Sequence, residues 1–96
     1  MKFAQFQQED RRLSFLLSLD QVAGYESNHF LMVKYLDQLG HPISHDLAIT
    51  EGQWLAEQGL VTATVVDEIH VFKLTTRGLD CAAGKVVVNG VTRPNP

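Results

Sequence analysis

At Gly59 the apolar pattern of this chain changes period, and that change limits the folds open to it. Before Gly59, apolar residues recur three and four positions apart, the spacing of helices with one buried face. After it, Leu60 to Val66 and Ile69 to Leu74 are runs of Val, Thr, Ile and Phe, separated only by Asp67-Glu68, which predicts a tight two-stranded hairpin. Upstream, Phe6, Asp10, Leu13, Leu16, Leu17 and Asp20 mark the stripe of a first helix ending before Gly24, with Glu9, Arg11 and Arg12 on its other side. Asn28 is placed to cap a second helix whose inner face is Met32, Val33, Leu36 and Leu39, and which Gly40 and Pro42 terminate. Ser44 caps a third helix from His45 to about Gln58, closed by Gly59. Gly52 in its interior costs about 1 kcal/mol relative to alanine, so tertiary packing has to hold this helix. Thr75 or Thr76 then caps a fourth helical segment through about Ala83, stopped by Gly84. A chain of 96 residues can bury one core and not two. Residues 1–84 are therefore expected to form the domain. Residues 85–96 are expected as a C-terminal arm or a small hairpin turning at Asn89-Gly90 in type I′.

Two stretches carry a resemblance. Trp54-Leu55-Ala56-Glu57-Gln58-Gly59-Leu60-Val61 is similar to the passage from the third helix into the first wing strand of a winged-helix domain, and Leu74-Thr75-Thr76-Arg77-Gly78 to the junction after the wing. Over its whole length, including Gly90 and Arg93-Pro94 in the tail, the chain resembles small regulators of the ArsR type encoded in Mu-like prophages. The resemblance implies an α+β winged helix: a three-helix bundle with a helix-turn-helix, a two-stranded wing, a C-terminal helical segment and a tail. It also implies a transcriptional regulator that binds duplex DNA through the third helix and pairs through its terminal helices.

Charge opposes that function. Between Lys34 and Lys73 there is no lysine or arginine, whereas Asp37, Asp46, Glu51, Glu57, Asp67 and Glu68 all fall inside the gap. The gap covers the third helix and the hairpin, where a DNA-binding domain of this kind would need cations to neutralise phosphates and release counterions. With Ala48, Gly52 and Leu55 turned inward and Trp54 at the edge, the outward face of the third helix is Asp46, Ile49, Thr50, Gln53 and Glu57. Gln53 and Thr50 have the chemistry to read bases, Asp46 and Glu57 repel phosphate, and an exposed Ile49 favours protein contact; an ordinary solvated face is the third reading. Were DNA bound, phosphate contacts would fall to Arg11, Arg12, Lys34, Lys73 and Arg77, which are scattered and read more naturally as solubilising charges. The balance favours a binding module acting through protein interaction or assembly, with the DNA-binding regulator as the alternative.

No cofactor, metal or catalytic residue is expected. His41 and His45 are four apart, but Pro42 and the capping Ser44 between them keep them off one helical face. Cys81, His70 and Asp80 supply the residue types of a nucleophilic site, yet Cys81 sits in an apolar run beside Ala82 and Ala83, the usual setting of a small buried thiol. A single cysteine points to a reducing compartment, the cytoplasm, and Gln5, Gln7, Gln8, Glu9 and Asp10 interrupt any signal-peptide core after Met1-Lys2-Phe3. No segment is apolar for long enough to enter a membrane. Phe3, Phe6 and Phe15 on the first helix exceed what one small core needs, so a homodimer using that helix and the C-terminal segment is expected. Trp54 is expected to pack against the wing strands and the second helix.

Overall fold

Side-chain caps fix where three of the helices begin. In the computed structural model, which describes residues 2–94, the Asn28 Oδ1 accepts the Leu31 amide at 2.9 Å, the Ser44 Oγ accepts the Leu47 amide at 3.0 Å, and the Thr75 Oγ1 accepts the Gly78 amide at 3.0 Å. Each bond satisfies an amide that the first helical turn leaves without a partner. The elements run α1 (Phe3–Gln21), a 3-10 turn (Ala23–Tyr25), β1 (Glu26–Asn28), α2 (His29–Gln38), α3 (His45–Glu57), β2 (Val61–Val66), β3 (Ile69–Leu74) and α4 (Thr76–Ala82). Four helices thus pack on one antiparallel sheet, an α+β fold.

The sheet has three strands, not the expected two: β1 pairs with β3, giving the order β1-β3-β2. β1 is only three residues long and carries Glu26, Ser27 and Asn28, so it has no apolar alternation to announce it. β2 and β3 pair from Val61↔Leu74 to Val66↔Ile69. Between them Asp67 (φ 49°) and Glu68 (φ 68°) both adopt the left-handed conformation that a two-residue type I′ turn requires. Neither residue suits it as glycine would. Glu68→Gly is therefore expected to stabilise the domain by about 1 kcal/mol, raising its melting temperature by roughly 4–8 °C. A calorimetric scan giving an unchanged or lower midpoint would remove that account of the turn.

The core is built on Phe15, Leu16 and Leu19 of α1, Met32 and Leu36 of α2, Leu55 of α3, Leu60, and Phe72 of β3. Phe15 meets Phe72 edge-to-face at 5.4 Å between ring centroids. Gly52 is explained by the same ring: a Cβ there would lie 2.4 Å from two carbons of Phe72. What helix propensity loses at Gly52 is offset by close packing against an aromatic ring.

Several expectations about exposure require correction. Phe15 belongs to the core and is not available to an interface, because α2, α4 and β3 all pack on α1 and widen its buried arc. Leu39, placed on the inner face of α2, is exposed where the helix ends. The tail forms neither a free arm nor a hairpin among the described residues. Val88 and Val91 join the core cluster, and the Thr92 amide donates to the Glu9 carbonyl at 3.2 Å. Asn89-Gly90 does turn, with the Val91 amide donating to the Val88 carbonyl at 3.1 Å, but only Gly90 has positive φ (97°). That is the signature of type II and not type I′. Asn95 and Pro96 lie outside the described residues.

Candidate interaction face

Helical geometry places Asp46, Thr50, Gln53 and Glu57 four, three and four residues apart, on one stripe of α3, and all four are exposed. The Thr50 hydroxyl donates to the Asp46 carbonyl of its own helix at 3.0 Å, which leaves its methyl and the two lone pairs of its oxygen for a partner. Ile49 flanks the stripe and is half-buried, correcting the fully outward position expected for it; its side chain straddles the edge of α3. The stripe is therefore acidic and polar with an apolar margin, and no cation lies on it.

The two arginines of α1 expected to serve a phosphate are occupied elsewhere. Arg11 Nε donates to Glu51 Oε2 at 2.9 Å and Arg12 Nε donates to Glu51 Oε1 at 3.1 Å, with the Glu51 residue only 1% exposed. Both guanidiniums are largely sequestered, so the expected role of Arg11 and Arg12 as phosphate contacts is corrected: one buried carboxylate holds both. Arg12 also donates through Nη1 to the Gly90 carbonyl at 3.2 Å and lies 3.8 Å from the centroid of the Trp54 ring. Trp54 accordingly meets Arg12 of α1 and Gly90 of the tail, contacts that the expected packing on the strands and α2 did not include. Glu51 was visible to helical arithmetic, since it falls on the inward face with Ala48, Gly52 and Leu55; a carboxylate there demands partners.

Lys34, Lys73 and Arg77 stand on α2, β3 and α4 and are exposed. Among the described residues none of the three pairs with a carboxylate, though the sheet register sets Lys73 opposite Glu26, and Arg77 Nε donates to the Gln58 carbonyl at 3.1 Å. His41, considered with His45 in the sequence, bonds Asp10 Oδ2 through Nε2 at 2.7 Å instead. His45 and His70 join His29, their rings lying 5.9 Å and 5.4 Å from that of His29 between centroids, and the His29 Nδ1 accepts the His70 amide. Sequence spacing could not find this trio, because residues 29, 45 and 70 meet only when α2, α3 and β3 pack. Among the described residues no group of three or more His, Cys, Asp or Glu side chains is placed to hold a metal ion. Cys81 lies in the core; burial raises its thiol pKa, and the nearby Arg77 charge pulls in the opposite direction.

Two other surfaces are apolar. A groove of about 410 Å³ between α1 and α2 is lined by Leu17, Val22, Tyr35 and Leu39, with Ser14 and Ser18 at its floor. The hairpin exposes Val65 and Val66, each 59% accessible, beside Ile69. Among the described residues no helix is long and apolar enough to cross a membrane.

No family model matches the chain, and no solved structure matches it. Two relatives do. The uncharacterized protein gp26 of Escherichia phage Mu is 43% identical over 88 residues, covering 92% of this chain and 91% of the relative. An uncharacterized protein of Haemophilus influenzae is 40% identical over 83 residues, covering 85% of this chain and 80% of that relative. With the Mu protein matched almost end to end at that identity, this chain belongs to the same family as gp26 of phage Mu.

Proposed function

We propose that this domain is a winged helix of phage type that works as a non-enzymatic protein-binding module, in the cytoplasm and as a homodimer. The fold order, the hairpin after α3 and the capped α4 support the winged-helix reading. One observation carries the function: the exposed stripe of α3, Asp46, Thr50, Gln53 and Glu57, contains no cation. Duplex DNA presents a dense row of phosphates, and a surface that offers it two carboxylates and no lysine or arginine loses the term that supplies most non-specific affinity. A protein partner faces no such penalty. Thr50, Gln53 and the half-buried Ile49 offer it hydrogen bonds around an apolar margin, and a basic partner would meet Asp46 and Glu57.

The second reading, a regulator of the ArsR type gripping DNA through α3, draws support from Lys34, Lys73 and Arg77 alone, since Glu51 holds the two arginines of α1. Two measurements separate the readings. A photoreactive side chain placed at Gln53 in cells expressing the gene is expected to crosslink to protein. Wild-type binding to duplex DNA is expected to be no tighter than ~10⁻⁴ to 10⁻⁶ M at physiological salt and indifferent to sequence. Crosslinks to DNA together with a nanomolar, sequence-specific complex would overturn the proposal.

A further inference from the structure

The two edges of the sheet are unequal. The β1 edge is three residues long and bears the charge of Glu26. The β2 edge is six residues long, reads Val-Thr-Ala-Thr-Val-Val, and is exposed at every position after Val61. Natural sheets blunt such an edge with lysine, proline, a bulge or a covering segment. β2 has no charge, no proline and no bulge, since its register with β3 advances without interruption.

The direction of its free backbone groups follows from the turn. A two-residue hairpin turn is closed by a pair that exchanges both hydrogen bonds, here Val66 and Ile69, so Val66, Thr64 and Thr62 bond toward β3. The Thr75 amide donating to the Leu60 carbonyl at 3.1 Å continues the same alternation. Val61, Ala63 and Val65 therefore turn their N–H and C=O groups away from β3, to the open side.

We propose that this edge is an interface with a second copy of the chain, the two β2 strands pairing antiparallel across a two-fold axis at Ala63. Several registers let outward groups meet outward groups, and the one that gives all three outward residues a partner sets Ala63 opposite Ala63 and Val61 opposite Val65 of the second copy. Continuing that register carries Asp67 to Gly59 of the second copy. Gly59 lies under Arg77, whose Cδ is 3.7 Å from where a Cβ on Gly59 would stand. The acidic hairpin tip of one copy thus reaches the exposed guanidinium of the other, twice by symmetry. Val65 and Val66 lose water in the same contact. The interface names the partner behind the homodimer in the functional proposal, yet it leaves the α3 stripe free, so the crosslinking result at Gln53 stands or falls separately.

Sedimentation equilibrium across micromolar to millimolar chain tests it. The wild type is expected to dimerise, with the Val61, Ala63 and Val65 amides protected from hydrogen exchange. Ala63→Pro removes an N–H that bonds nothing within one chain, so it is expected to keep the fold and weaken the dimer at least ~tenfold. Asp67→Arg and Arg77→Glu are each expected to weaken it as well, and the two together to restore it, an outcome that damage to folding does not produce. A chain that stays monomeric throughout would overturn the proposal. So would a dimer indifferent to Ala63→Pro but dissociated by Phe6→Glu, which would locate the contact on the exposed N-terminal half of α1.

Discussion

Replacing Glu51 with alanine is expected to cost about 3–5 kcal/mol of stability, because the change strips two largely buried guanidiniums of their shared carboxylate. A domain of this size has a total stability on the order of 5–15 kcal/mol, so the loss would consume much of it. Glu51→Gln should be milder: the amide oxygen still accepts from one arginine, whereas its NH₂ opposes the other. Urea unfolding of the three proteins at one pH gives the ranking. An alanine variant within about 1 kcal/mol of wild type would show that water reaches both arginines and that the triad is a surface feature.

A comparable loss is expected from Gly78→Ala, through sterics and not charge. A Cβ at that position in the first turn of α4 would lie 1.9 Å from the Leu60 carbonyl oxygen and 2.7 Å from Leu74 Cδ1. The oxygen has no freedom to retreat, because it accepts the Thr75 amide and Thr75 in turn caps α4. Relieving the contact means moving α4 off the sheet and breaking that cap. Destabilisation of about 4 kcal/mol or more is the expected result, in the range reserved for severe core defects. Far-ultraviolet circular dichroism during heating would report it; a variant melting within a few degrees of wild type would mean that α4 docks more loosely than its contacts imply.

Gly78 also shows what the sequence makes legible. Leu74-Thr75-Thr76-Arg77-Gly78 marks a strand running into a capped helix, and the caps at Asn28, Ser44 and Thr75 are found in place because each is a local signal, a hydroxyl or amide oxygen three residues before the amide it accepts. The inward face of α3 follows from period alone, and so does the outward stripe. Features depending on distant partners do not show. Arg11 and Arg12 look like solvated charges until Glu51, about forty positions away, is folded against them. β1 exists only because β3 arrives beside it, and the tail has a place because Arg12 and Glu9 hold its backbone while Val88 and Val91 join the core. Ile49 sits between the cases: its angle on the helix is legible, but its half-burial depends on neighbours that period cannot supply.

Trp54 is the only tryptophan in the chain, and it stands where α1, α3 and the tail converge. A Cβ at Gly90 would fall 2.8 Å from the far edge of its indole, and the Arg12 guanidinium rests on its face. Docking of residues 85–94 is thereby written into the intrinsic fluorescence of the protein. Release of the tail would uncover the indole to water and shift its emission to longer wavelength, while the core around Phe15 and Phe72 stayed closed and optically silent. The molecule carries a built-in gauge of its C-terminal closure, readable without a label.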